Sequence, residues 1–387
     1  MKKLLTAMMV GVLAVGSLAG CSGGGEKEEK KSADAFYIGG IGPTTGAAAI
    51  YGNAAKNGAQ IAVDEINAAG GINGVPIEYN FQDDQHDAEK SVNAYNTLKD
   101  WGMQILYGTV TTGPCIAVAD KTAQDNMFQL TPSASSTDVI VNDNAFQVCF
   151  TDPNQGIASA QYIAQNNLAE KIAIIYDSSD VYSSGIEEKF VEEAKTQNLN
   201  VVSVEAFTAD SKTDFQTQLQ KAQDAGADLV FLPIYYQEAS IILKQADTMG
   251  YAPTFFGVDG LDGLLTVENF DTSLAEGVML LTPFAADAQD EATVNFVTSY
   301  QEKYGETPNQ FAADGYDSIY TIKAAIEHAG VTPDMDASST CDALKAAMTE
   351  ITVNGLTGDE LTWEATGEVS KAPKAVVIQN GAYVGME

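Results

Sequence analysis

The sequence predicts an α/β protein built from two lobes, each a doubly wound parallel sheet covered by helices. Short apolar runs alternate with amphipathic helical segments along most of the 387 residues. This alternation favours parallel strands, because each parallel crossover needs a helix's length of chain. The pattern contains about ten strands, more than one open sheet usually holds, and the chain is long enough for two cores. We therefore predict two lobes rather than one.

The first 21 residues have the layout of a bacterial export signal that ends in a lipobox-like site. Lys2 and Lys3 precede an apolar stretch at 4–15, which is shorter than the about 20 residues of a membrane-spanning helix. Small residues then lead to Cys21. We predict a signal peptide over 1–20 and a lipid anchor on Cys21; an uncleaved anchor helix is the alternative. Residues 21–34, rich in Gly, Glu and Lys, predict a flexible linker.

The net charge of the chain limits the classes of partner that it can bind. Without residues 1–20 the chain carries 18 basic and 53 acidic residues, a net charge of −35. This acidity argues against nucleic acid and anionic membrane surfaces as partners, so only the anchor is expected to touch lipid. All 20 basic residues are lysine. Without arginine, an anionic ligand must be held by hydroxyls, backbone N–H groups or a helix N-terminus.

The strands and helices follow in a regular order after the linker. Two helices stand out: 51–68, with an apolar face and Gly70-Gly71 at its end, and 87–101, with Val92, Tyr95 and Leu98 in phase. The apolar runs predicted as strands are 36–41, 77–81, 105–107, 127–130, 146–150, 172–176, 201–206, 229–232, 254–258 and 278–281.

The junctions after these strands carry two kinds of chemistry. Ligands of open parallel sheets bind beyond the carboxyl ends of the strands, so these junctions are candidate binding segments. Those at 42–47, 108–113 and 131–136 are rich in Thr, Ser and Gly, which suit an anion; those at 177–182, 235–236 and 259–260 supply tyrosines and carboxylates, which suit a cation. Helix capping and core packing are the alternative explanations. Together the two groups suggest a zwitterionic ligand.

Catalytic, cofactor and metal sites are not indicated. His86 and His328 are the only histidines, and we expect both on the surface. No nucleophile–base spacing, dinucleotide fingerprint or phosphate loop is present, so we expect neither an enzyme nor a cofactor or metal; an extracellular hydrolase is the remaining alternative. Cys115 and Cys149 could form a disulfide or stay buried thiols.

Read in order, several stretches resemble the type I periplasmic binding proteins of the branched-chain amino acid class, the receptors of ABC importers. The stretches are IGPTTGAAAIYGNAAKNGAQIAVDEINAAGGING (41–74), YNFQDDQHDAEKSVNAYNTL (79–98), QLTPSASSTD (129–138), CFTDPNQG (149–156), YYQEASIILKQA (235–246), FFGVDG (255–260) and LTWEATGEV (361–369). The resemblance extends from about residue 36 to the C-terminus.

The resemblance implies a role for twelve residues. Thr112 and the segment Ser133-Ala134-Ser135 would hold the α-carboxylate of a ligand. Asp259 would hold the α-ammonium, with Tyr182 and one of Tyr235 or Tyr236 beside it. The side-chain pocket would be lined by Tyr51, Val110, Thr111 and Phe311.

The resemblance also implies an architecture and a function. The lobes would comprise 35–151 with 283–370 and 152–282 with 371–387, joined by three hinge crossovers near Asp152, Thr282 and Lys371. We expect a monomeric, extracytoplasmic receptor of the Gram-positive lipoprotein type that delivers leucine, isoleucine or valine to an ABC permease. A receptor for an amide, a polyamine or an aromatic carboxylate is the alternative within the same class.

Overall fold

The structure, a computed structural model, describes residues 34–386. The predicted signal peptide, Cys21 and residues 22–33 of the predicted linker lie outside the described residues. No helix within 34–386 is both long enough and apolar enough to span a membrane.

Two separate sheets organise these residues, as predicted. The strands are β1 (Phe36–Gly42), β2 (Ile77–Asp83), β3 (Ile105–Gly108), β4 (Phe128–Thr131), β5 (Ala145–Gln147), β6 (Ile172–Asp177), β7 (Val201–Phe207), β8 (Leu229–Leu232), β9 (Thr254–Gly257), β10 (Met279–Thr282), β11 (Lys374–Gln379) and β12 (Ala382–Gly385). The first sheet has the order β2-β1-β3-β4-β5 and the second the order β12-β11-β10-β9-β8-β6-β7. The prediction of an α/β fold with two lobes is confirmed.

Helices cover the faces of both sheets. They are α1 (Ala49–Ala68), α2 (Ala88–Trp101), α3 (Thr112–Asp125), α4 (Asp152–Gln165), α5 (Val181–Thr196), α6 (Gln216–Asp224), α7 (Tyr236–Met249), α8 (Glu291–Tyr304), α9 (Gln310–Ala329) and α10 (Ala337–Met348). Side-chain caps begin several of them: Asp87 accepts from Lys90 N at 2.9 Å ahead of α2, and Asp180 accepts from Tyr182 N at 3.3 Å ahead of α5. The two predicted helices are therefore present, and Asp87 is the N-cap of the second rather than its first turn.

Central strands are buried along their whole length. Every residue of β3, β4, β8 and β10 is buried, as expected for parallel strands with helices on both faces. All pairings of the first sheet are parallel, and β6 to β10 also pair in parallel. The carboxyl ends of these strands therefore lie at one edge of each sheet.

The antiparallel end of the second sheet differs from the expectation of purely parallel lobes. β11 pairs antiparallel with β10 and with β12. Asn380 and Gly381, with φ values of 53° and 73°, form the turn between β11 and β12. An Asn-Gly pair is the strongest short-range signal for a β-hairpin. The prediction missed this hairpin although its signal was in the sequence.

The predicted strand at 146–150 is also shorter than expected. β5 ends at Gln147, and the following residues lead into α4, which Thr151 caps by accepting from Asn154 N at 3.4 Å. The chain leaves the sheet here because it must pass to the second lobe.

Three segments of the described chain pass between the sheets. They lie between β5 and β6, between β10 and α8, and between α10 and β11. α8, α9 and α10 return to the first lobe, where α9 packs along α1 and α10 packs against β4. The predicted boundaries at 151/152, 282/283 and 370/371 fall within these segments and stay predictions.

Glycines allow α1 and α9 to approach closely. A Cβ atom on Gly58 would lie 1.8 Å from the carbonyl oxygen of Ala312, and one on Gly315 would lie 2.3 Å from that of Ala55. Only glycine fits such backbone contact. This packing holds the start of α9, and with it Phe311, against the first half of α1.

Candidate functional site

A small cavity lies where the carboxyl ends of the strands of the two lobes face each other. Its volume is about 10 Å³, which is room for one water molecule. Nine of the twelve predicted binding residues line it: Tyr51, Val110, Thr111, Thr112, Ser133, Tyr182, Tyr235, Asp259 and Phe311. Gly260 also lines it and was not predicted. Ala134, Ser135 and Tyr236 are buried nearby but do not line it.

The first-lobe wall consists of neutral hydrogen-bonding groups. Thr112 is the first residue of α3, and the N–H groups of a helix's first turn have no acceptor within the helix. The Thr112 hydroxyl accepts from Ser135 N at 3.3 Å. The Thr131 hydroxyl accepts from Ala134 N at 3.0 Å and donates to Thr109 O at 2.7 Å. These bonds hold the segment after β4 against the start of α3, so the wall can receive an anion without a cationic side chain.

The second-lobe wall contains a buried carboxylate. Asp259 is only 4% exposed and accepts from the Tyr182 hydroxyl at 2.5 Å. The Tyr182 hydroxyl in turn accepts from Gly260 N at 3.0 Å. Burial raises the pKa of Asp259 to about 7, although the bond from Tyr182 opposes the rise. No ion pair within residues 34–386 involves Asp259.

Aromatic rings close the remaining sides of the cavity. Tyr182 and Tyr235 stack with ring centroids 4.9 Å apart and planes 10° apart. Across from them, Tyr51 and Phe311 lie 4.6 Å apart. Rings on two sides give the cavity apolar surface beside its polar walls.

Hydrogen bonds tie the two walls together directly. The Tyr51 hydroxyl of α1 donates to Gly260 O at 2.6 Å and accepts from Tyr236 N at 3.2 Å. Tyr236 donates its hydroxyl to Ala47 O at 2.6 Å, and the Gln310 side chain donates to Asp259 O at 2.9 Å. Tyr236 therefore bridges the lobes. With the lobes tied this closely, a molecule larger than water can enter only if the walls move apart.

Comparison with known families identifies the chain. A family model described as "Periplasmic binding protein" matches residues 35–382. The chain belongs to this family. More specifically, it is a type I periplasmic binding protein of the branched-chain amino acid transporter family, as the resemblance implied.

Curated relatives and solved structures cover almost the whole binding protein. The Leu/Ile/Val-binding protein homolog 3 of Brucella melitensis is 28% identical over 354 residues, which cover 90% of this chain and 93% of the relative. The leucine-, isoleucine-, valine-, threonine- and alanine-binding protein of Pseudomonas aeruginosa is 27% identical, over 85% of this chain and 87% of the relative. The substrate-binding protein LivJ of Streptococcus pneumoniae, solved in complex with isoleucine, is 28% identical with a TM-score of 0.81, over 91% of this chain and 100% of that one.

Membership of this family makes the chain an extracytoplasmic substrate-binding protein of the ABC transporter class and not an enzyme. Cys115, Cys149 and Cys341 are free, buried thiols, so of the two alternatives for Cys115 and Cys149 the binding protein shows the unpaired one. Burial raises the pKa of the Cys115 thiol to about 12, which makes it unreactive at neutral pH.

His86 lies at the rim of the cavity rather than on the surface, so that prediction was wrong. Its Nδ1 lies 2.9 Å from the Thr111 hydroxyl, and its ring meets Tyr235 edge-on with centroids 5.7 Å apart. Burial and the nearby Lys212 ammonium lower the pKa of His86, which favours the neutral imidazole. Its place at the carboxyl end of β2 was the available signal, because that edge of the sheet faces the cleft. His328 is exposed, as predicted, and its Nε2 lies 2.9 Å from Glu350 Oε2.

A second buried acid, Asp152, was predicted only as a crossover position. It is 2% exposed, and within residues 34–386 neither carboxylate oxygen has a hydrogen-bond partner of ordinary geometry. The same holds there for the buried Ser135 hydroxyl and the buried Gln155 side-chain nitrogen. Burial raises the pKa of Asp152 well above its usual value, although the nearby Ser135 hydroxyl opposes the rise. The wall behind the cavity therefore contains polar groups that the protein does not satisfy on its own.

Proposed function

We propose that this binding protein captures leucine, isoleucine or valine between its lobes and delivers it to an ABC permease. The observation that supports this most is the pairing of an arginine-free wall of neutral donors with a buried carboxylate that has no cation within the described part of the chain. The α-carboxylate of an amino acid suits the neutral donors of the first wall, and its α-ammonium suits the carboxylate of the second. The names of the relatives and the isoleucine complex of the LivJ protein agree with this ligand class.

The second lobe would bind the ligand's α-ammonium. Asp259 is desolvated, and within residues 34–386 its carboxylate meets neutral donors such as the Tyr182 hydroxyl but no cation. A buried carboxylate is costly unless it is paired, so an ammonium group would replace the missing cation. The stacked Tyr182 and Tyr235 rings would also suit a cation beside their faces.

The first lobe would bind the α-carboxylate. The first-turn N–H groups of α3 and the hydroxyls of Thr112 and Ser133 would act as donors, with Ser135 supporting Thr112 from behind. Val110, Tyr51 and Phe311 would contact the aliphatic side chain. Both charges would then be compensated inside the closed cleft.

Ligand entry would need the lobes, 35–151 with 283–370 and 152–282 with 371–387, to separate about the three crossovers. The present cavity holds about one water molecule. Closure with bound ligand would re-form bonds such as that between Tyr51 and Gly260. Ligand favours the closed form only as far as it binds that form more tightly.

Calorimetry with protein refolded free of carried-over ligand tests this proposal. We expect binding of leucine, isoleucine and valine. Two matched probes examine the walls separately: 4-methylpentanoate lacks the ammonium of leucine, and 3-methylbutylamine lacks its carboxylate. Both should bind far more weakly than leucine. Absence of binding by every zwitterion tested would refute the proposal, and tight binding of benzoate instead would favour the aromatic carboxylate alternative that the Tyr51 and Phe311 rings could accommodate.

We further propose that the mature protein is a monomer held at the outer face of the cell membrane by lipid on Cys21. The support is the arrangement of lysines, apolar segment and small residues before Cys21, followed by a polar linker. A Cys21→Ala protein should be found in the medium and still bind its ligand. Full retention at the membrane would contradict the anchor without affecting the binding proposal.

A further inference from the structure

We infer that a second, larger cavity between the lobes is a binding site for an organic amine, distinct from the cavity around Asp259. Its volume is about 710 Å³, within the range of about 300 to 1,000 Å³ that is usual for small-molecule sites. None of its lining residues is among the twelve predicted from the resemblance. The inference does not depend on which ligand the first cavity takes.

Both lobes contribute to this second cavity. The first lobe supplies residues of α1 and α8 and the segment before α9, whereas the second supplies residues 262–266 and the turn between β11 and β12. A ligand there would contact both lobes at once. Ile50 lines this cavity and its neighbour Tyr51 lines the first one, so α1 separates the two sites.

A buried carboxylate faces this cavity and defines the ligand's charge. Asp262 is 5% exposed. Its Oδ2 accepts from Gln310 N at 2.8 Å, and within residues 34–386 its Oδ1 receives no hydrogen bond. Burial raises the pKa of Asp262 to about 7, so a cation next to Oδ1 would favour the ionised carboxylate.

The other residues that line the second cavity also favour a positively charged ligand. Asp287 and Glu306 are exposed acids in its lining, and no lysine among residues 34–386 lines it. Apolar surface comes from Ile50, Leu265 and Val297 and from the rings of Tyr300 and Tyr383. A buried anion, exposed acids in the lining and apolar walls together fit an ammonium group on an aliphatic body. They disfavour a carboxylate or phosphate, which would meet only like charge.

Titration of the purified protein with hexylamine, hexanol and hexanoate, followed by ligand-observed NMR, tests the site. These probes share a carbon chain and differ only in the polar end. We expect saturable binding of hexylamine and neither of the others. Equal binding of hexanol would show a merely apolar cavity and would overturn the inference, as would no binding of hexylamine.

Four variants locate the amine. Asp262→Asn keeps an acceptor for Gln310 N but removes the charge, and should weaken hexylamine by at least about tenfold. Ala286→Trp, which would fill the cavity from the segment before α8 and keeps the Asp262 carboxylate, should also abolish binding. Glu291→Gln, an exposed acid outside the cavity, should leave it unchanged. Loss of amine binding in Asp259→Asn with retention in both Asp262→Asn and Ala286→Trp would place the amine in the first cavity and refute the second site.

Discussion

Two regions of this binding protein bury carboxylates, but within the described chain only one of the two pairs its carboxylate with a cation. Asp314 in α9 pairs with Lys371 at 2.7 Å, and the lysine side chain has no exposed surface. Lys371 also donates to the Thr357 hydroxyl at 2.6 Å. Asp259 in the cleft is equally buried but has no cation within the described chain. Burial raises the pKa of both acids, to about 6 for Asp314, where Lys371 opposes the rise, and to about 7 for Asp259.

This difference separates a structural charge from one kept for a ligand. Near the third crossover the chain provides its own cation, and it satisfies the neighbouring Asp317 with Leu356 N and Thr357 N at 2.8 and 2.9 Å. At the cleft the described residues provide Asp259 with neutral donors such as the Tyr182 hydroxyl, and with no cation. Since an unpaired buried charge is costly, the cleft is completed only when a cation arrives from outside.

The largest expected effect is on ligand affinity. Asp259→Ala should weaken leucine binding by about 3 to 5 kcal/mol, because the ammonium would lose its only buried ionic partner. Calorimetry measures the change, and Asp100→Ala, an exposed acid of the first lobe, should have no effect. A loss below about 1 kcal/mol, the range of an exposed pair, would show that Asp259 is not the ammonium partner.

Disrupting the Asp314–Lys371 pair should lower the stability of the fold by about as much as the loss of Asp259 lowers the free energy of binding. Lys371→Met leaves Asp314 buried without its cation, and we expect the free energy of unfolding to fall by about 3 to 5 kcal/mol. Urea denaturation measures it. Lys323→Met, which breaks the partly exposed pair with Glu327, should cost only about 0.3 to 0.5 kcal/mol. Equal effects of the two substitutions would show that the buried pair contributes no more to stability than the partly exposed one.

Ligand affinity should depend on pH through Asp259. In the closed cleft without ligand its pKa is about 7, and a bound ammonium would lower it. Binding therefore requires loss of a proton at lower pH, and affinity should fall as pH drops below 7, approaching about tenfold per pH unit. Dissociation constants between pH 5.5 and 8 measure this.

Two variants test which side chain causes this dependence of ligand affinity on pH. Asp259→Ala should bind weakly at every pH, whereas His86→Gln should keep the dependence on pH, because the histidine is neutral over most of this range. If ligand affinity no longer depended on pH in His86→Gln, the titrating group would be His86 and not Asp259.

The smallest expected effect concerns Asp152. Its pKa is raised in the folded protein, so the folded state binds this proton more tightly than the unfolded one. The stability linked to this group is then complete below the usual aspartate pKa of about 4 and is lost as pH rises through the higher folded value. Asp152→Asn should raise the free energy of unfolding at pH 8 by on the order of 1 kcal/mol and change it little at pH 4. Destabilisation at pH 8 would mean that the ionised carboxylate has a partner.

Much of the candidate site could be predicted from the sequence because strand-end junctions converge at one edge of a parallel sheet. Thr112, Ser133, Tyr182 and Asp259 follow four different strands and line one cavity. His86 follows a fifth strand in the same way, yet the sequence showed no ligand partner near it and we expected it on the surface.

Other features could not be predicted from local patterns. The orphaned oxygens of Asp152 depend on what packs around them, and its sequence context shows only a helix start. Tyr236 follows its strand as Tyr235 does, but its hydroxyl reaches Ala47 in the other lobe. A one-residue step along the chain thus separates a cavity side chain from a bridge between lobes, and the choice depends on the rotation of α7.

The sequence by itself determined the α/β class, the two lobes and the family, because apolar periodicity, turn residues and ordered motifs are local properties of the chain. Only the tertiary structure decided which buried acids have a cation. Asp314 and Lys371 are 57 residues apart, and their pairing is visible only once α9 and the third crossover are packed together. The same holds for the second cavity, whose buried Asp262 lies three residues from Asp259. Electrostatic roles depend on burial and on distant partners, and both arise only when the chain folds.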